Sequence, residues 1–80
     1  MAKKDWKREC EILGQQIIDR LDEPEMYEPN VHSNGVYRFM SIYHKRRHDS
    51  VWFMQAPTYY DLYVALQSAL SVITVVERGF

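Results

Sequence analysis

The stretch Val36-Tyr37-Arg38-Phe39-Met40-Ser41-Ile42-Tyr43-His44, followed after a polar interval by Val51-Trp52-Phe53-Met54-Gln55, decides the fold class. In an extended chain successive side chains point to opposite faces, so Tyr37, Phe39, Ser41 and Tyr43 share one face of the first run. Val36, Arg38, Met40, Ile42 and His44 share the other. Aromatic and β-branched residues dominate both runs, as strands prefer. The interval Lys45 to Ser50 is a charged turn, so the two runs are expected to form an antiparallel hairpin. The pair Asn34-Gly35 can return the chain to a short edge strand near Val31, giving a three-stranded meander instead.

Downstream, Ala56-Pro57-Thr58 stops the second strand. Thr58 followed by Asp61 is a variant of the capping box, in which hydroxyl and carboxylate both satisfy free amides at a helix start. Leu62, Leu66, Ala69 and Ile73 then lie on one stripe, widened by Ala65, Leu70 and Val76, and predict a well-buried helix. The β-branched run at 72–76 also suits a short strand. With no Gly or Pro to separate it from the stripe, the reading is helix to about Glu77, with Gly79 as the stop.

Upstream, Asp5 caps a first helix. Trp6, Cys10, Leu13, Ile17 and Leu21 recur at steps of three and four, which predicts an amphipathic helix over about residues 5 to 22. Gly14 inside it costs about 1 kcal/mol relative to Ala and suggests a close approach by another element. Asp22-Glu23-Pro24 ends the helix, because the residue before a proline is pushed away from helical angles. Pro24 to Gly35, with its two prolines and several acids, reads as a connecting surface loop.

The expected architecture is α+β, one domain over residues 1–80: helix, antiparallel hairpin or three-stranded meander, helix, with two helices packed on one sheet face. A chain of 80 residues buries a modest core, and the usual reinforcements are missing. One cysteine, Cys10, makes no internal disulfide, and no Cys/His set has structural-zinc spacing. Because both faces of the 36–44 run are largely apolar, two layers leave one face bare unless an edge strand, a loop or another chain covers it.

Ten Lys and Arg against eleven Asp and Glu give a net charge of -1, which argues against a global basic field. The charge is segregated. Lys3, Lys4, Lys7 and Arg8 cluster at the start; Asp19, Asp22, Glu23, Glu25 and Glu28 follow; Lys45-Arg46-Arg47 form a second basic spot. The basic beginning is not followed by an apolar run, so no secretory signal is expected, and with a lone thiol this points to the cytoplasm. The most apolar stretch, Leu62 to Val76, is broken by Gln67, Ser68, Ser71 and Thr74 and is too short to cross a bilayer.

Three constellations compete for function. His44-x3-His48 is the nearest approach to a metal pair, but it spans three cations in a turn, so no metal and no cofactor are expected. Cys10 lies on an apolar stripe, and the acids of residues 22–28 lie in an open polar loop, so neither suits catalysis and no enzyme is expected. Lys45, Arg46 and Arg47 at a hairpin tip, with Arg38 in support and aromatics nearby, suit a nucleic-acid-binding module; the bland counterpart is a charged turn that keeps the hairpin soluble. Met26, Tyr27, Tyr37, Phe39, Tyr43 and Trp52, with Asp22, Glu23, Glu25 and Glu28 as an acidic rim, are of the types that anchor protein interfaces; the counterpart is a solvated loop over an ordinary core. The preferred expectation is a non-enzymatic interaction module: an inhibitor or adaptor that docks on a larger protein or nucleoprotein complex, with a homodimer as one form it can take. Small, motif-poor, aromatic-rich chains of this style suit a phage or mobile element acting on host machinery. Nucleic-acid binding through the turn 44–48 is the alternative.

Overall fold

The computed structural model describes the backbone of residues 4–77 and the side chains of residues 4–73. Helix α1 (Trp6–Ile18) starts where the Asp5 carboxylate accepts the Arg8 amide at 3.2 Å. It stops well short of the expected residue 22. The Arg20 and Leu21 amides bond the carbonyls of Ile17 and Ile18, a tightening that ends the helix. Glu23 then takes left-handed angles at φ 54, which turns the chain into a short 3-10 segment, Pro24–Met26.

The expected loop Pro24 to Gly35 is mostly not a loop. Tyr27–Ser33 forms strand β1, which pairs antiparallel with β2 (Arg38–His44), which pairs in turn with β3 (Asp49–Ala56), in the order β1-β2-β3. The meander is therefore the architecture, with an edge strand longer than the stretch near Val31 suggested. Glu28, Pro29 and Asn30 are poor strand formers, which hid β1 in the sequence. They are tolerated because β1 is an edge, where a proline lacking its amide hydrogen costs the ladder nothing on the open side. Val36 and Tyr37 belong to the connection and not to β2. There the Asn34 side-chain oxygen accepts the amides of Val36 and Tyr37 at 2.9 and 2.8 Å, and Gly35 adopts φ +93. β3 extends beyond the expected 51–55 at both ends, and a bulge opposite Ile42 and Tyr43 makes Val51 the extra residue.

Helix α2 (Tyr59–Glu77) settles residues 72–76 as helix. Its start is as expected: Thr58 Oγ1 accepts the Asp61 amide at 3.0 Å and donates to the Asp61 carboxylate at 2.9 Å. Both helices cover the sheet face formed by Val31, Met40, Ile42 and Ala56. Cys10, Leu13, Ile17 and Ile18 of α1 and Leu62 and Leu66 of α2 complete the core. Gly14 is where α1 crosses β1: a Cβ there would stand 2.9 Å from the Pro29 Cβ and 3.3 Å from the Met40 sulfur. No helix among the described residues is long and apolar enough to cross a membrane.

Candidate functional site

The register sorts the anchor residues onto three separate surfaces. Tyr27, Ile42 and Trp52 lie on the helix-covered face at the end of the sheet next to the turn 45–48. With Ile17 of α1, Leu21 just beyond its end, Val51, and Ala69, Val72 and Ile73 of α2, they line an open apolar cleft of about 510 Å³. α1 ends at Ile18, so Ile17 and the following Leu21 form the wall of the cleft on that side. Two oppositely charged segments meet at this end. Met26 accepts the Lys45 amide at 2.9 Å, and Lys45 Nζ donates to the Glu25 carbonyl at 3.3 Å, which ties the basic turn to the acidic segment 22–28. Asp22, Glu23 and Glu25 are exposed, as are Lys45, Arg46 and Arg47.

The outer face of the sheet carries Phe39, Ser41, Tyr43 and Phe53, flanked by Glu28, Asn30, His32 and Gln55. His32 stacks on Phe39 with ring centroids 5.1 Å apart, and Phe53 is 64% exposed. This is the face left bare by two layers, but its edge residues are polar, so it is less apolar than the 36–44 run alone implied. Tyr37 sits apart, in the connection before β2.

The nucleic-acid set is divided. Arg38 pairs with Ser33 and Ala56, whereas His44 pairs with Tyr27 and Asp49, so Arg38 lies at the opposite end of β2 from the turn, about 20 Å away. In the turn, Arg47 makes a two-point contact with Asp49 at 3.2 and 3.4 Å, and its amide donates to His44 Nδ1 at 3.0 Å. The Tyr43 hydroxyl and His48 Nδ1 are 3.0 Å apart. Lys45, bonded only to a backbone carbonyl, and Arg46 are the turn cations left without an ion pair among the described residues.

Arg38 instead joins residues that sequence reasoning did not connect with it. Lys4, Asp5, Trp6 and Lys7 at the start of α1, Arg38, and Thr58, Tyr59 and Tyr60 at the start of α2 line a second cleft of about 420 Å³. The sequence signal was present in the basic cluster at residues 3–8, but only the antiparallel register carries Arg38 to it.

Cys10 is fully buried, and its thiol donates to the Tyr59 carbonyl at 3.4 Å. Burial, with Glu11 and Glu9 adding to it, pushes the thiol pKa from 9.0 up to about 11. A group that holds its proton more tightly when folded stabilises the fold fully below its unfolded pKa and loses that contribution as pH rises through the folded value. Wild-type protein should therefore lose about 1 kcal/mol more stability between pH 8 and 10 than Cys10→Ala does, measured by urea unfolding at each pH. Parallel pH profiles would show that the buried thiol is not the cause. Among the described residues no three His, Cys, Asp or Glu side chains gather to hold a metal ion.

The fold and these surfaces define a small α+β domain with a cleft at each end of the sheet and an aromatic outer face. No protein-family model matches the chain, and no curated protein or solved structure does so either.

Proposed function

We propose that this chain is a cytoplasmic, non-enzymatic interaction module, an inhibitor or adaptor that docks on a larger protein or nucleoprotein complex, and that it pairs with a second copy of itself through the Trp52 cleft. The observation that carries this reading is the cleft: half-buried apolar side chains, Leu21, Tyr27, Trp52, Ala69 and Ile73, line open space, and Val51 and Val72 at its rim are 41% and 63% exposed. Burial of such area is the main force in protein association. The occupant follows from the charges at the mouth. Acidic Asp22, Glu23 and Glu25 lie beside basic Lys45, Arg46 and Arg47, so a two-fold arrangement sets each acidic segment against the other copy's basic turn. Pairing leaves the outer-face aromatics Phe39, Tyr43 and Phe53 for the larger partner.

The alternative, a nucleic-acid module built on the turn 44–48, is less well supported. Its fourth cation, Arg38, is remote, and Arg47 is neutralised by Asp49.

The test is light-scattering mass as a function of concentration. Wild-type protein should rise from monomer toward dimer. Val72→Glu, at an exposed position that leaves the core intact, should weaken pairing by at least about tenfold, equivalent to 1.4 kcal/mol. High salt should weaken wild-type pairing as well, because the rim charges are exposed and screened. A wild-type protein that stays monomeric at all concentrations, or a dimer indifferent to Val72→Glu, overturns pairing through this cleft.

A further inference from the structure

The second cleft, at the opposite end of the sheet, gathers positive charge around open space in this near-neutral chain. Its lining holds Lys4, Lys7 and Arg38 against one carboxylate, Asp5. That carboxylate is committed to the α1 start through the Arg8 amide. Two further acids stand near and are also engaged: Glu9 pairs with Lys4 at 3.2 Å, and Asp61 accepts from Thr58.

Arg38 is held in a particular way. Its Nη1 donates to the Val36 and Pro57 carbonyls at 3.4 and 3.2 Å, and its guanidinium lies over the Tyr59 ring at 5.7 Å. These contacts fix the plane of the group and use a single nitrogen. Nε and Nη2 have no partner among the described residues, and together they form the edge that grips a carboxylate or phosphate at two points. Lys7, on the neighbouring helix, likewise has no ion-pair partner among the described residues. Around these cations stand aromatic rings: Trp6, with Lys4 Nζ over its ring at 5.2 Å and Tyr63 at 4.9 Å, meets Tyr60 edge-on at 4.9 Å, and Tyr60 is 51% exposed.

We infer that this cleft binds a small organic oxyanion attached to a planar ring, with Arg38 gripping the oxyanion at two points, Lys7 adding charge, and the exposed Tyr60 receiving the ring beside Trp6. The volume suits a ligand of that size, at the smaller end of known small-molecule sites. The site involves none of the residues of the Trp52 cleft and stands whether or not the chain pairs.

The experiment is a nuclear magnetic resonance titration with benzoate, phenyl phosphate and inorganic phosphate in parallel, following the Trp6 indole N–H, the Arg38 Nε–H and the Trp52 indole N–H. Benzoate and phenyl phosphate should shift the Trp6 and Arg38 signals saturably and leave Trp52 still. The tighter of the two identifies the oxyanion as carboxylate or phosphate. Inorganic phosphate, lacking the ring, should bind about tenfold more weakly, the loss expected for roughly one stacking contact. Arg38→Lys keeps the charge but removes the two-point edge and should weaken binding by about tenfold. Lys7→Gln, at an exposed position, should weaken it by about threefold without disturbing the fold. Val72→Glu should bind as wild type does, which separates this site from the pairing surface. The inference is overturned if no probe produces a saturable shift, if both site variants bind as wild type does, or if the shifts centre on Trp52. A short single-stranded oligonucleotide that moves the same signals at lower concentration than phenyl phosphate would also overturn it, in favour of nucleic acid.

Discussion

Met40→Ala should lower the unfolding free energy by about 3 kcal/mol, measured by urea denaturation. Met40 is at 0% exposure in the middle of the central strand, between Val31 on β1 and Met54 on β3, with Gly14 of α1 against its sulfur. Truncation removes most of a side chain from a site whose walls come from both sheet neighbours and a helix, so little can collapse into the space. A domain of 80 residues has roughly 4 to 12 kcal/mol of stability in all, so the loss is a quarter of it or more. The thermal midpoint should fall by about 12 °C or more. Phe53→Ala is the control, since Phe53 is a larger side chain in the adjacent strand but faces outward; it should change stability by less than about 1 kcal/mol. A larger loss from Phe53→Ala than from Met40→Ala would mean that the sheet faces are assigned the wrong way round.

Gly14→Ala should destabilise the protein by about 2 kcal/mol, against the sign that helix propensity alone gives. In an isolated helix this change gains about 1 kcal/mol. Here the added methyl would stand 2.9 Å from the Pro29 Cβ, a separation that real side chains do not tolerate. The Pro29 ring cannot rotate aside, so α1 and β1 must part. The Met40 sulfur at 3.3 Å is more forgiving, because a thioether chain can change rotamer. The double variant Gly14→Ala with Pro29→Gly separates the causes in a thermal-unfolding cycle. Without a Cβ at position 29 the methyl has room to be accommodated, and the cost of Gly14→Ala should fall by more than half. A stabilised Gly14→Ala single variant would show that the helix does not cross β1 this closely.

Much of the fold was legible because its signals are local. The Thr58 and Asp61 cap, the stripe through Leu62, Leu66 and Ile73, and the alternation of the 36–44 run each need only a few neighbours in sequence to act. β1 was less legible because Glu28, Pro29 and Asn30 have little strand preference of their own; the open ladder of β2 recruits them. The end of α1 was missed for a related reason. The spacing of Ile17 and Leu21 continues the stripe, but the turn into Pro24 takes Leu21 off the helix while keeping it against the core.

The candidate surfaces divide in the same way. Residue types alone marked Tyr27, Trp52, Phe39 and Tyr43 as anchors, and the charge blocks were plain in the sequence. Periodicity could not show that Tyr27 and Trp52 face the helices while Phe39 and Tyr43 face away, since that depends on which face the helices choose. Nor could it place Arg38, whose neighbours are set by pairing with Ser33 and Ala56.

The sequence by itself determined the element types on either side of the sheet, the α+β class and the segregation of charge, because propensity, capping and hydrophobic period act over a few residues. Only the tertiary structure decided the third strand, the buried face, the gap around Trp52 and the meeting of Arg38 with the start of α1. Those depend on register and on where a helix stops relative to a sheet, and both are settled by packing between residues far apart in the chain.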